Sequence, residues 1–277
     1  MNQLRGTTAI VTGSSRGIGL AIAIQLAGKG VNLALNGRDQ GRLEKAAQRV
    51  RALGVDVVSV AGDITAETVR DELVTRTLEA FGSIEILINN AGIEPLIAFD
   101  AQSPAAIVCA IDLNYTATVL LTHQVLPHML ANRHGHIVAV ASTMGLKGQP
   151  YGATSSGTKA AQIKWAEALR VELRDSGIGV SVVCPGIVAG AGIVGELTNA
   201  TGIQPPRTAT VTSHQVAEAV VKAIETNARQ LIVQPGPLRT LLALDTLCPA
   251  SGDAISRALG VEGYMRKLGE FGRERAR

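Results

Sequence analysis

The chain has 277 residues, of which 46% are hydrophobic and only 3% aromatic, and its 26 Lys and Arg against 23 Asp and Glu leave a formal net charge of +3. An apolar share this high with mixed charge excludes a disordered chain, and so few aromatics with so small a charge exclude a general nucleic-acid binder. Cys109, Cys184 and Cys248 are too widely spaced for a disulfide framework or a zinc pattern and suggest small buried hydrophobes in a reducing, cytoplasmic setting.

In chain order, short β-branched runs alternate with longer helical patterns. Residues 7–12 predict a buried strand and 16–29 a helix. Strands at 31–35 and 55–61 flank an Arg/Glu-rich helix at 39–53. A helix follows at 65–81, with Thr65 as its expected N-cap and Glu67 in its first turn, then an apolar strand at 84–88. A long helical stretch spans 104–132, and 136–141 is the next strand. A helix at 153–176, a strand at 180–183, a helix at 213–226 and a strand at 231–233 complete the pattern. Seven apolar strands joined by helices predict an α/β fold, a doubly wound parallel sheet covered on both faces, as one domain over 1–235. Residues 188–211 are small, polar and too long for an ordinary connection, which suggests a functional or mobile loop. Residues 236–277 form an extension with an apolar patch (Leu238, Leu241, Leu242, Leu244, Leu247), expected to pack or to form a subunit contact. The net charge belongs to this tail: 266–277 hold five Lys/Arg against two Glu. No charged region followed by an apolar stretch opens the chain, and no uninterrupted apolar run reaches the roughly 18 residues of a membrane span.

The first strand runs into Thr12-Gly13-Ser14-Ser15-Arg16-Gly17-Ile18-Gly19, and a helix follows. Glycines at these offsets allow a tight turn and close backbone approach to a pyrophosphate, which the free N–H groups of the helix terminus then hold. This predicts a Rossmann-type dinucleotide site. The second strand ends in Asn36-Gly37-Arg38-Asp39, without the carboxylate that usually selects NAD by its ribose hydroxyls. Arg38 with Arg16 would flank a 2′-phosphate, which favours NADP(H) over NAD(H). Asp39 suits a helix N-cap.

Together with the later elements, the chain resembles the short-chain dehydrogenase/reductase family over about residues 5–235. The glycine loop is similar to that family's T-G-x-x-x-G-x-G, and Asn89-Asn90-Ala91-Gly92 to its N-N-A-G element beside the cofactor. The resemblance implies that Asp63, with Ile64 beside it, lies near the adenine. It implies that Asn114 positions a water in a proton relay, Ser142 orients substrate and Lys159 holds the nicotinamide ribose. Pro185-Gly186, with Val188 just beyond, would line the nicotinamide. The implied chemistry is hydride transfer between nicotinamide and a carbonyl or alcohol of a small molecule, in a homodimer or homotetramer, with no metal, membrane or nucleic acid involved.

The family works through a Tyr four residues before the Lys, where one helix face lets the ammonium depress the phenol. Here that position is Ser155, thirteen residues after Ser142, which is the family's interval. An aliphatic hydroxyl is a far weaker acid than a phenol and several angstroms shorter. Ser155 is thus either an altered catalytic group or a plain helix-start residue. Tyr151, four residues earlier, either enters the cleft from the preceding loop as a substitute donor or covers the core. No hydroxyl occurs in Ile187-Val188-Ala189-Gly190, where the family often has a Thr. Tyr115, Trp165 and Met129 suit helix packing, and His123, His128, His134 and His136 suit surface or helix-cap roles. Three functions follow: an NADP(H)-dependent oxidoreductase acting on a carbonyl, alcohol or activated C=C of an apolar molecule with a non-standard proton donor, a nucleotide-binding regulatory protein without turnover, and a non-redox enzyme of dehydratase or cyclase type on the same fold.

Overall fold

Strands buried on both faces require cover on both faces, and this requirement organises the chain. The computed structural model describes residues 4–190, 198–206, 210–236, 238–247, 257 and 260–276. Strands β1 (Thr8–Val11), β2 (Asn32–Gly37), β3 (Val57–Ala61), β4 (Ile86–Asn89), β5 (Gly135–Val140) and β6 (Ile178–Pro185) appear close to their predicted places. Two short strands not foreseen, β7 (Ile187–Val188) and β8 (Thr210–Val211), pair in parallel within the segment expected to be a long loop. Residues 191–197 and 207–209 of that segment lie outside the described residues. The last strand, β9 (Gln230–Val233), completes a seven-stranded sheet of order β3-β2-β1-β4-β5-β6-β9, every neighbouring pair parallel.

Strand alternation divides the core into two layers. In β4, Ile86 and Ile88 join α1 (Gly17–Gly28), α2 (Gln40–Arg51) and α7 (Ser213–Thr226) through Ile22, Leu26, Leu43, Val220 and Ile224. Leu87 points the other way, toward Leu73 of α3 (Glu67–Phe81), Leu121 and Val125 of α5 (Ala117–Asn132) and Ile163 of α6 (Ala153–Glu172). Asp39 caps α2 as expected, its carboxylate accepting from the Arg42 N–H at 2.8 Å. Thr65 does not cap α3, which starts at Glu67 after Ala66. The Asp63 carboxylate takes both the Thr65 N–H (3.0 Å) and its hydroxyl (2.8 Å), a local turn that competes with the cap.

The long helical stretch is not one α-helix. After α4 (Pro104–Ile111), the residues Asp112–Thr116 form a π-turn before α5 begins. By length and mean hydropathy (1.6), the run Pro104–Asn132 is one helix among the described residues apolar enough to cross a membrane. In this fold its Leu113, Ala117, Leu121, Val125 and Met129 pack on the sheet. Helices α8 (Leu238–Leu247) and α9 (Val261–Ala276) follow β9. The leucine patch on α8 packs only in part: Leu244 and Leu247 are exposed. The Leu241 side chain and Cys248 lie outside the described residues. Cys109 is exposed rather than buried, because its turn of α4 faces solvent; Cys184 is buried.

His136 overturns its expected surface role. It is 1% exposed within β5, and its Nε2 lies 2.8 Å from the Ser181 hydroxyl, which itself donates to the Ala228 carbonyl. With that O–H committed, the imidazole must donate, as a neutral ring. Burial, with smaller contributions from the N-terminal charge and Arg170, pushes its pKa down to about 3. The unfolded chain takes up a proton below the ordinary histidine value of 6.5, and the folded chain does not until about 3. Stability therefore falls as pH drops through that window, by about 1.4 kcal/mol per unit. Urea unfolding across the window should show a steep acid-side loss in wild type and a shallower one in His136→Gln.

Candidate active site

Between β1 and β4 the strand order reverses, so the chain leaves the sheet in opposite directions and a cleft opens at the carboxyl ends. Thr12 and Asn90 span the gap. The Thr12 hydroxyl accepts from the N–H groups of Asn90 (2.9 Å) and Ala91 (3.0 Å), and the Asn90 amide donates to the carbonyls of Thr12 (2.9 Å) and Gly13 (3.3 Å). Gly13 stands at φ +64°, and a Cβ there would lie 2.9 Å from the Ala91 Cα. A Cβ on Gly19 would collide with the Gly13 carbonyl. Both positions require glycine, and the first turn of α1 opens into the concavity they leave.

Of the residues expected at the cofactor, Gly13, Ser15, Arg16, Ile18, Gly19, Arg38, Asp63, Ile64, Asn90, Ala91, Gly92, Pro185, Gly186 and Val188 all line this cleft. Asn36, the last residue but one of β2, lines it too, with its amide tied to the carbonyls of Val60 (3.1 Å) and Gly62 (3.3 Å). The Arg16 guanidinium is held below its ordinary value by burial first and then by the charges of Arg42 and Arg38. Clustered guanidiniums at one end of the cleft repel each other and favour a bound anion.

At the other end, Ser142 lines the cleft, and its hydroxyl accepts from the Met144 N–H at 3.2 Å. Asn114 sits fully buried in the π-turn. Its carbonyl oxygen accepts from Ile93 N–H (2.8 Å), and its amide donates to Ile93 O (2.9 Å) and the Thr158 hydroxyl (3.0 Å). These bonds pin the chain after Gly92. Lys159 is 5% exposed; its ammonium donates to Val140 O (3.1 Å) and Gln162 Oε1 (3.0 Å). Burial pushes that ammonium down, and the charge of Glu94 acts against the shift. The Cys184 thiol is itself pushed up to about 12 by burial.

Four expected groups do not line the cleft: Asn114 and Lys159, engaged by the interior bonds just described, and Ser155 and Tyr151. Ser155 is fully buried, does not line it, and its hydroxyl has no hydrogen-bond partner among the described residues. Tyr151 sits in the loop before α6 at φ +61°, and its ring lies against Gly269 of α9, where a Cβ would overlap it. It lines a separate depression with Phe99, Pro150 and Arg266. The backbone conformation turns the ring outward, so Tyr151 is not a substitute at the cleft.

Sequence reasoning missed Glu94, Leu96, Thr143, Met144, Ile187, Tyr264 and Met265, all of which line the substrate end. Glu94 was legible as an isolated carboxylate two residues past Gly92 in an apolar stretch. Burial raises its carboxyl, opposed by the charge of Lys159. Tyr264 and Met265 come from α9, where Tyr264, Met265 and Leu268 form a small core with Leu96, Met144 and Ile187. The Tyr264 hydroxyl is buried without a partner, and burial and Glu94 push the phenol up to about 12.

The family profile described as short chain dehydrogenase matches residues 7–202. The ketoacyl reductase HetN of Nostoc sp. is 35% identical over 276 residues, covering 98% of this chain and 95% of that protein. The 3-oxoacyl-[acyl-carrier-protein] reductase FabG of Staphylococcus epidermidis is 33% identical over 194 residues, covering 70% of this chain and 78% of its own length. Among solved structures, a variant actinorhodin polyketide ketoreductase with NADPH superposes with a TM-score of 0.77 at 27% identity, covering 85% of this chain and 98% of that one.

A buried hydroxyl without a partner costs about 1–3 kcal/mol. Ser155→Ala removes that group from a sealed site and leaves a void no larger than one oxygen. It should raise the urea midpoint, by an amount equivalent to about 1 kcal/mol.

Proposed function

The chain belongs to the short-chain dehydrogenase/reductase family of NAD(P)-dependent oxidoreductases, and from that premise we propose that it reduces the carbonyl of an apolar small molecule with NADP(H). The observation that carries the reading is one continuous cleft, with the glycine cradle and Arg16 and Arg38 at one end and Ser142 among Leu96, Met144, Ile187 and Met265 at the other. The ketoacyl and polyketide ketoreductase relatives support the direction of reaction and the substrate chemistry.

In this reading the α1 terminus, Gly13, Ser15, Ile18 and Gly19 hold the pyrophosphate, with Asn90, Ala91 and Gly92 closing the far wall. Asp63 and Ile64 would lie against the adenine, and Arg16 and Arg38 would take the 2′-phosphate. Reduced nicotinamide, when bound, supplies a hydride. Ser142 donates a hydrogen bond to the substrate oxygen. Lys159 contributes positive charge from beneath, and Asn114 fixes the 93–94 segment. Pro185, Gly186 and Val188 wall the nicotinamide side. Ser155 stands where the family carries its tyrosine, and the proton must come from another group.

The same reading assigns cofactor binding and catalysis to 1–235 and substrate cover to 236–277, in a cytoplasmic homo-oligomer. Exposed Val108, Ile111 and Leu120 on α4 and α5 support a subunit contact there. The sealed Ser155 favours one rival reading, a protein that binds the nucleotide without turnover. Loss of NADPH absorbance across a panel of ketones and 3-oxoacyl thioesters separates the two: turnover supports the reductase, and tight binding with no oxidation supports the rival. Cofactor choice is tested by Arg38→Gln. A charge-assisted hydrogen bond contributes about 1.5–3 kcal/mol. The variant should weaken NADPH binding about tenfold or more by fluorescence titration while NADH affinity holds within about twofold.

A further inference from the structure

Two cations are buried among the described residues, Lys159 and Arg70. Lys159 has a part in the reading above and Arg70 has none. Arg70 lies on α3 at 5% exposure, on the face that carries Leu73 and Val74 into the core. A leucine there would continue the apolar stripe without any charge to desolvate. The guanidinium instead brings a charge inside, and its Nε is buried without a partner among the described residues. So unfavourable a placement asks what the side chain holds.

Its Nη1 donates to the carbonyls of Ile64 at 3.0 Å and Thr65 at 2.7 Å. These belong to the turn between β3 and α3, where the chain has left the sheet and its carbonyls have lost their strand partners. The same turn forms one wall of the cleft, through Gly62, Asp63 and Ile64. Asn36 pins it from β2 by the Gly62 carbonyl, and Arg70 pins it from α3. Thr65, held by its carbonyl, turns its N–H and its hydroxyl onto Asp63. Both of those bonds fall on Oδ1, so neither engages Oδ2. Asp63 itself is exposed and lines the cleft.

We propose that Arg70 is a positioning residue that makes Asp63 a reader of the cofactor's base. Arg70 fixes the Thr65 backbone, Thr65 fixes Asp63 Oδ1, and Oδ2 is left to accept from the adenine amino group. An ionised carboxylate only accepts hydrogen bonds, so it suits a 6-amino group and opposes a 6-oxo group. The assignment rests on the dinucleotide reading above, which sets Asp63 against the adenine. The device acts on binding alone. A turn without Arg70 would have to be ordered when the base arrives, and its carboxylate would discriminate less.

The test compares NADPH with its deaminated analogue, which carries hypoxanthine and so an oxo group in place of the amine, by fluorescence titration. Wild type should prefer NADPH by about tenfold or more, the size of one charge-assisted hydrogen bond. Arg70→Met keeps an apolar stem and removes the donors, and should cut the preference to about threefold or less. Arg70→Lys, which can still donate to both carbonyls, should restore most of it. Arg70→Gln should give an intermediate preference and serves in place of the Met variant if that one fails to fold. Asp63→Asn should reverse the preference: with Oδ1 still held by Thr65, the other atom becomes an amide donor suited to the oxo group. Amide hydrogen exchange at Thr65 and Ala66 is read separately, and Arg70→Met should speed it about tenfold or more. A preference that survives Arg70→Met and Arg70→Gln overturns the proposal. So does an equal loss of both dinucleotides in those variants, which marks Arg70 as structural only, and so does a preference that Asp63→Asn leaves in place. Binding of neither dinucleotide by wild type, with exchange still quickened in Arg70→Met, leaves the clamp on the turn standing but sinks the dinucleotide reading and this assignment with it.

Discussion

One hydroxyl holds the site open and in register. Thr12 stands where the sheet divides, with β1 and β4 sending their chains to opposite sides. Backbone groups at such a fork lose their strand partners, and buried ones must find others. The Thr12 oxygen takes two N–H groups from the β4 loop and returns its own proton to the Ile88 carbonyl at 3.3 Å. Asn90 answers with two bonds to the β1 loop. Each lost bond would leave a buried donor or acceptor at a cost of about 1–3 kcal/mol. The glycine cradle, the helix terminus and the 93–97 segment inherit their positions from this clamp.

The cleft joins two electrostatic regimes. At the arginine end, Arg16 and Arg38 lie partly in solvent, where screening weakens repulsion and an anion can be exchanged. At the opposite end, Lys159 is sealed with two neutral oxygen acceptors, and water cannot screen it. A charge held there acts strongly on the few groups within reach, and Glu94 is one of them.

The sheet was legible because a strand buried on both faces leaves a continuous apolar run, and the glycine spacing located its functional end. Helix α2 began where its polar cap, Asp39, stood. The misses share a cause: local pattern carries no information about what crosses from elsewhere. His136 looked like a surface residue until Ser181, 45 positions on, supplied its partner. Thr65 looked like a cap until Asp63 claimed it. The π-turn at Asn114 arises from bonds to Ile93 and Thr158, neither of which a helical periodicity can show. Tyr264 lies 170 residues beyond Glu94, and no spacing rule connects them.

The last helix completes the substrate end of the cleft. Helix α9 falls beyond the span matched by the family profile, yet it supplies Tyr264 and Met265 to the substrate end. It grips the loop after β4 from outside: Gly269 admits the Tyr151 ring, and a Cβ on Gly272 would stand 3.0 Å from the Leu96 carbonyl. Tyr151 in turn accepts the Ile97 N–H at 2.9 Å. The 93–97 segment is therefore fixed from the core by Asn114 and from the surface by α9. A side chain on an ordinary loop is less precisely placed than one on a helix or strand. Held on both sides, this loop gains the rigidity that α6 gives its own residues.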